Sequence, residues 1–114
     1  MSNKIRKITR LIDEMSSILL ANNLSELDVK ILPKDKSIEI FFYHYQNTMS
    51  DEQLKKIENT LNKPRRLELE TYYWTLVGET DVDQSLQLVG GLTDSAKLTK
   101  VGNDVQIILI RADE

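Results

Sequence analysis

The chain holds one histidine, His44, and acid–base chemistry near neutral pH would be placed there first, because imidazole titrates in that range. Tyr43 and Tyr45 flank it, and Tyr72 and Tyr73 supply further hydroxyls later in the chain. Catalysis also requires a partner that orients the ring, and no spacing identifies one. On a strand, His44 shares a side with Ile38, Ile40 and Phe42, so the plain expectation is a strand-end residue touching water. A small-molecule or enzymatic pocket near His44 and the tyrosines is the alternative.

Other chemistry finds less support. Glu79, Asp81 and Asp83 alternate in an acidic stretch that invites a calcium loop, but a loop beginning at Asp81 needs glycine sixth and glutamate twelfth. Leu86 and Leu92 stand at those places, so the calcium pattern fails; two of the carboxylates could hold magnesium, but a solvated loop capping the next element is the plain expectation and no metal site is assigned. Gly90-Gly91 lies in neither glycine-rich phosphate motif and reads as a bend or a close approach of backbones. No serine sits in a G-x-S-x-G setting. Cysteine is absent, which excludes disulfides, thiolate chemistry and any Cys/His zinc site. No cofactor is expected, and no segment carries a motif diagnostic of a known family.

Lys4, Arg6, Lys7 and Arg10, with Lys63-Pro64-Arg65-Arg66 as a second cluster, are the candidates for nucleic-acid phosphate contacts. Residues 1–66 carry 12 basic and 9 acidic side chains, and residues 67–114 carry 3 and 9, so the halves bear +3 and −6. The whole is acidic, with a pI near 5.2, and no recognised nucleic-acid motif accompanies the charges. A basic helix face is ordinarily a solvated face, and binding of nucleic acid is not favoured.

Tyr72-Tyr73-Trp74 is the densest aromatic cluster. Successive helical residues point about 100° apart, so one core cannot take all of them and at least one is expected near the surface. With Phe41, Tyr43 and Tyr45 they are the candidates for a protein interface, where aromatic residues concentrate.

The elements that would position these residues follow from periodicity. Ile5, Ile8, Leu11, Met15 and Ile18 recur at helical spacing over 3–22, with Asn22 and Asn23 as left-handed stop residues. Leu27 to Ile31 alternates as a strand, Pro33-Lys34-Asp35-Lys36 is a turn, and Ser37 to Tyr45 is the second strand of a hairpin. Ser50 with Gln53 forms a capping box for a helix through Leu61. Residues 65–77 read as a helix opened by Pro64 and closed by Gly78, and 85–92 fits either a short helix or an irregular strand. Ala96–Val101 and Asp104–Arg111 make a second hairpin around Gly102-Asn103, both of which can take positive φ. Two hairpins and about three helices, in the order α-ββ-α-α-ββ, define an α+β domain with an antiparallel sheet of about four strands.

At 114 residues, with 40% hydrophobic and 29% charged side chains, the chain reads as one globular domain over 1–114. The basic start is interrupted by Asp13 and Glu14 before any secretion signal forms, and no stretch approaches the roughly 18 apolar residues of a membrane span. Without cysteine, a cytoplasmic location is expected.

One feature points beyond fold class. Strands 37–45 and 104–111 carry large apolar groups on both sides: Ile38, Ile40 and Phe42 against Phe41, Tyr43 and Tyr45, and Val105, Ile107 and Leu109 against Ile108 and Ile110. A monomer's antiparallel sheet can leave one face polar and wet, so here either helices cover both faces or another chain covers one. The expected function is therefore a non-enzymatic protein-interaction module. Its expected partner is itself, as a homodimer, or another protein, through the sheet face and the aromatic helix surface.

Overall fold

A computed structural model describes residues 3–62 and 82–112. The elements are α1 (Asn3–Asn22), β1 (Leu27–Pro33), β2 (Ser37–His44), α2 (Asp51–Leu61), α3 (Val82–Leu92), β3 (Ser95–Val101) and β4 (Asp104–Ala112). The order α-ββ-α-α-ββ and the mixed α+β class are as the periodicity dictates. The stretch open to two readings is helical, as α3. The helix expected at 65–77, with Tyr72, Tyr73 and Trp74, lies outside the described residues, as do Lys63, Arg65, Arg66, Glu79 and Asp81.

The four strands form one antiparallel sheet in the order β1-β2-β4-β3, so β2 and β4 are central and the hairpins lie side by side. Ile40 stands opposite Leu109 and Phe42 opposite Ile107 across the middle. These residues, with Ile38 and Val105, are buried beneath the helix layer. α1 contributes Leu11, Met15 and Leu19, and α2 contributes Leu54, Ile57 and Leu61, the inward stripes of two amphipathic helices. α3 lies between them and contributes Leu88, Val89 and Leu92. The closeness of α2 and α3 depends on Gly90, where a Cβ would come within 2.9 Å of the Thr60 carbonyl oxygen. This is the close backbone approach anticipated for the glycine pair.

The caps test the local reading. Ser50 Oγ accepts from Gln53 N at 3.1 Å and Gln53 Oε1 accepts from Ser50 N at 2.9 Å, completing the box. α1 stops where expected but by another device, because neither Asn22 nor Asn23 is left-handed. Gln46 is the described non-glycine residue with positive φ, at 54°. Asn22 instead exchanges two hydrogen bonds with Thr48, through Oδ1 from its N–H and Nδ2 to its Oγ1, and Asn23 Nδ2 donates to the Gln46 carbonyl. Likewise only Gly102 of the second hairpin turn takes positive φ, at 61°, rather than both turn residues. Positive φ confined to the first central residue is the type II′ pattern.

Candidate functional site

His44 does not touch water. It ends β2 on the helix side of the sheet and is 0% exposed, which corrects the expectation of a solvated strand end. The reason is the chain around it: the connections 23–26 and 45–50 close over the ring. Asn47 Oδ1 accepts from Met49 N–H at 2.9 Å, so its Nδ2 is the donor to His44 Nδ1 at 3.1 Å. The imidazole hydrogen therefore sits on Nε2, which points to the Asn23 carbonyl at 2.9 Å and Ser25 Oγ at 3.0 Å. Ser25 passes its own hydrogen to the Tyr45 carbonyl. Both ring nitrogens are thus committed to protein groups inside a wall of side chains. Such a histidine fastens three segments together, and a substrate has no approach to it.

The same knot reaches the second hairpin. Asn47 N–H donates to the Asn103 carbonyl at 2.7 Å, and Asp104 Oδ1 accepts from Gln46 N–H at 3.0 Å. Gln46 is thereby held on both sides in its left-handed conformation, and the end of α1, the end of β2 and the β3–β4 turn become one polar unit.

The opposite side of the sheet carries no described helix. Its side chains lie in cross-strand rows set by the register. One row runs Lys30, Phe41, Ile108, Lys97. A second runs Leu32, Glu39, Ile110, Ser95, and a third Asp28, Tyr43, Gln106, Thr99. Phe41, Ile108, Ile110 and Leu32 form a half-buried apolar centre, with the exposed Lys30 and Lys97 at either end of the middle row. The Lys30 ammonium stands 5.9 Å from the Phe41 ring centroid, and Lys34 pairs with Glu39 at 3.4 Å. Tyr43 and Tyr45 meet at 4.8 Å between ring centroids. The structure thus brings Phe41, Tyr43 and Tyr45 together on one accessible face.

Electrostatics mark the tyrosine end of this face. Tyr45 donates to Asp28 Oδ2 at 2.8 Å, and this bond, then burial and the charges of Asp28 and Glu26, push its phenol up to about 12. The Tyr43 phenol is also raised, by burial first and then by Asp104, to which it donates at 3.4 Å. The folded state holds the Tyr45 proton more tightly than the unfolded chain, whose phenol titrates near about 10. The stabilising contribution is therefore complete below about 10 and is lost as pH rises through about 12. In a spectroscopic titration of tyrosinate, Tyr45→Phe should remove a late-ionising step, and Asp28→Asn should move that step to lower pH. A late step that survives Tyr45→Phe would refute this assignment.

The basic residues of α1 do not form one patch. Lys4 and Arg6 are exposed but about 160° apart around the helix. Lys7 is half-buried, and Arg10 pairs with the buried Glu14 at 2.9 Å. Two shallow clefts bounded by described residues, of about 280 and 190 Å³, lie between α1, α2 and α3 and between α2 and β3. Neither includes His44. Among the described residues no group of carboxylates and histidine could hold a metal ion, and no helix is long and apolar enough to cross a membrane.

Sequence reasoning missed Asn47, Ser25 and Asn23 as the partners of His44. The signal was present only as a density of Asn and Ser around two chain reversals, which fits any loop. No family model matches this chain, and no curated protein is similar to it in sequence.

Proposed function

We propose that the chain is a non-enzymatic protein-interaction module, cytoplasmic and homodimeric, and that the face of its sheet on which no described helix packs is the contact. The observation that carries this reading is the central strip of that face. Phe41 and Ile108 lie side by side, Leu32 and Ile110 flank Glu39 in the next row, no described helix stands above them, and Lys30, Lys97 and Asp28 lie on the rim. Completing the burial of one large apolar side chain stabilises an assembly by at most about 1.5–3 kcal/mol, and less where half is already covered. An apolar centre within a charged rim is the anatomy of a protein interface. The alternative of a catalytic pocket at His44 has no comparable support, since that ring is enclosed and its nitrogens are engaged.

The test is mass in solution. Sedimentation equilibrium should give a species of twice the 13.2 kDa chain, and Phe41→Lys with Ile108→Lys should shift it to monomer while the far-ultraviolet circular dichroism stays that of the wild type. A wild-type chain that remains monomeric up to its solubility limit would overturn the proposal.

A further inference from the structure

The two edges of the sheet are treated differently. On β3, α2 closes the edge with side chains: Ala96 N–H donates to Asn62 Oδ1 at 2.9 Å, Asn62 Nδ2 donates to the Ala96 carbonyl at 2.9 Å, and Leu98 N–H donates to Glu58 Oε2 at 2.9 Å. Another strand cannot add there without displacing them. Among the described residues the β1 edge has no such cover. Tyr45 N–H bonds the Glu26 carbonyl and Lys34 N–H bonds the Ser37 carbonyl, which sets the phase of the β1–β2 ladder. Even-numbered residues of β1 face β2, so Leu27, Val29 and Ile31 turn their N–H and C=O groups outward. Among the described residues nothing accepts or donates to them. Their side chains lie on the helix side, yet Val29 is 40% and Ile31 46% exposed, because the helix layer stops short of β1. An uncapped edge with exposed branched aliphatic side chains is a template for another strand.

We infer that β1 is a strand-addition edge and that its occupant is β1 of a second copy, antiparallel, with Val29 opposite Val29. The charge pattern selects both occupant and register. Centred on Val29, the pairing sets Leu27 opposite Ile31, with every outward amide matched to a carbonyl, and Asp28 opposite Lys30 twice over. Centring on Asp28 or on Lys30 puts that charge against itself. Centring on Leu27 sets Glu26 against Asp28, and centring on Ile31 sets Val29 against Pro33, which has no N–H to give. Only the Val29 register pairs Leu27–Ile31 without a penalty, Pro33 falling opposite Ser25 beyond the strand's start. It joins two sheets into one, buries Val29 and Ile31, and makes the Phe41 faces of both copies continuous. The inference rests on the self-association proposed above and gives the dimer a contact other than the Phe41 face; a chain using both would grow past two copies, so a closed dimer uses one of them and the experiment decides which.

Charge reversal in the full-length chain tests it. Asp28→Lys sets lysine against Lys30 of the other copy, and Lys30→Asp sets aspartate against Asp28, so each variant alone should dimerise about ten-fold more weakly or worse. An equimolar mixture of the two variants should recover wild-type association, because every cross-strand pair is then opposite in sign. Sedimentation equilibrium reads both effects. In the wild type, the Val29 and Ile31 amides should exchange hydrogen slowly when concentrated and faster on dilution, a measurement that stands even if a variant fails to fold. Single reversals that associate like the wild type, a mixture no tighter than its components, or amide exchange at Val29 and Ile31 independent of concentration would each overturn the β1 pairing. If the paired lysines at Phe41 and Ile108 dissociate the dimer while the charge reversals do not, the face contact stands and the edge contact falls. If the reversals and the mixture behave as expected while the paired lysines leave the dimer intact, the edge contact stands and the face contact falls. A wild-type monomer at every concentration removes both.

Discussion

Replacing His44 by alanine should lower the free energy of unfolding by about 3–4 kcal/mol, a large share of the margin of about 5–15 kcal/mol that holds a small domain folded. The ring is fully buried, so its removal leaves a cavity beside Phe42 and the end of α1. It also leaves three polar groups without their partner: the Asn47 amide that donated to Nδ1, and the Asn23 carbonyl and Ser25 hydroxyl that Nε2 served. A buried group left unsatisfied costs about 1–3 kcal/mol, and Ser25 retains its bond to the Tyr45 carbonyl, so the orphans do not all count in full. Urea denaturation should show an earlier midpoint with little change in slope. Asn47→Ala should reproduce part of the loss, because Met49 N–H and His44 Nδ1 are both released. A loss under about 1 kcal/mol for His44→Ala would show that the knot does not hold the segments together.

Arg111→Met should cost about 2–3 kcal/mol and loosen α3 selectively. Arg111 is buried on the helix side of β4, and its Nη1 donates to the Leu92 carbonyl at 2.7 Å. Leu92 is the last residue of α3, where carbonyls run out of helical donors and the helix dipole presents its negative end. One guanidinium therefore satisfies a buried acceptor and complements that dipole. Methionine keeps the unbranched apolar stem but offers no donor, so a charge-assisted hydrogen bond is lost while packing is largely kept. Hydrogen exchange should accelerate along 85–92 more than in β2. Uniform acceleration across the chain, or a stability loss below about 0.5 kcal/mol, would contradict a specific tie between β4 and α3.

Both variants act on residues whose importance is invisible to periodicity. His44 and Arg111 each sit at the end of an alternating strand, on the same side as Ile40 and Leu109, and a strand pattern alone puts a terminal polar residue in water. What buries them is not written in the strand itself: for His44 it is the distant 23–26 connection folded together with the loop that follows β2, and for Arg111 the end of a helix 19 positions away. Residues 85–92 of α3 show the same limit, since a run rich in Leu, Val and Gly fits strand or helix until its neighbours exist. The tight α2–α3 approach that makes Gly90 necessary is a property of two elements together.

Local rules did determine much. Alternation in 37–45 and 104–111, the three-and-four spacing in 3–22, the Ser50-Gln53 box and Gly102 in its turn each reflect the energetics of one short segment, and those energetics act whatever the rest of the chain does. From them came the element order, the α+β class and the recognition that two strands are apolar on both sides. Which side the described helices took, which edge was capped by Asn62 and Glu58, how far Val29 and Ile31 were left exposed on the other edge, and whether a lone histidine met water or a wall of amides were decided by tertiary structure. Burial and most of these partnerships are relations between segments distant along the chain, as Asn23 and Ser25 are from His44 and Leu92 is from Arg111, and no short window along the sequence contains both members of those pairs.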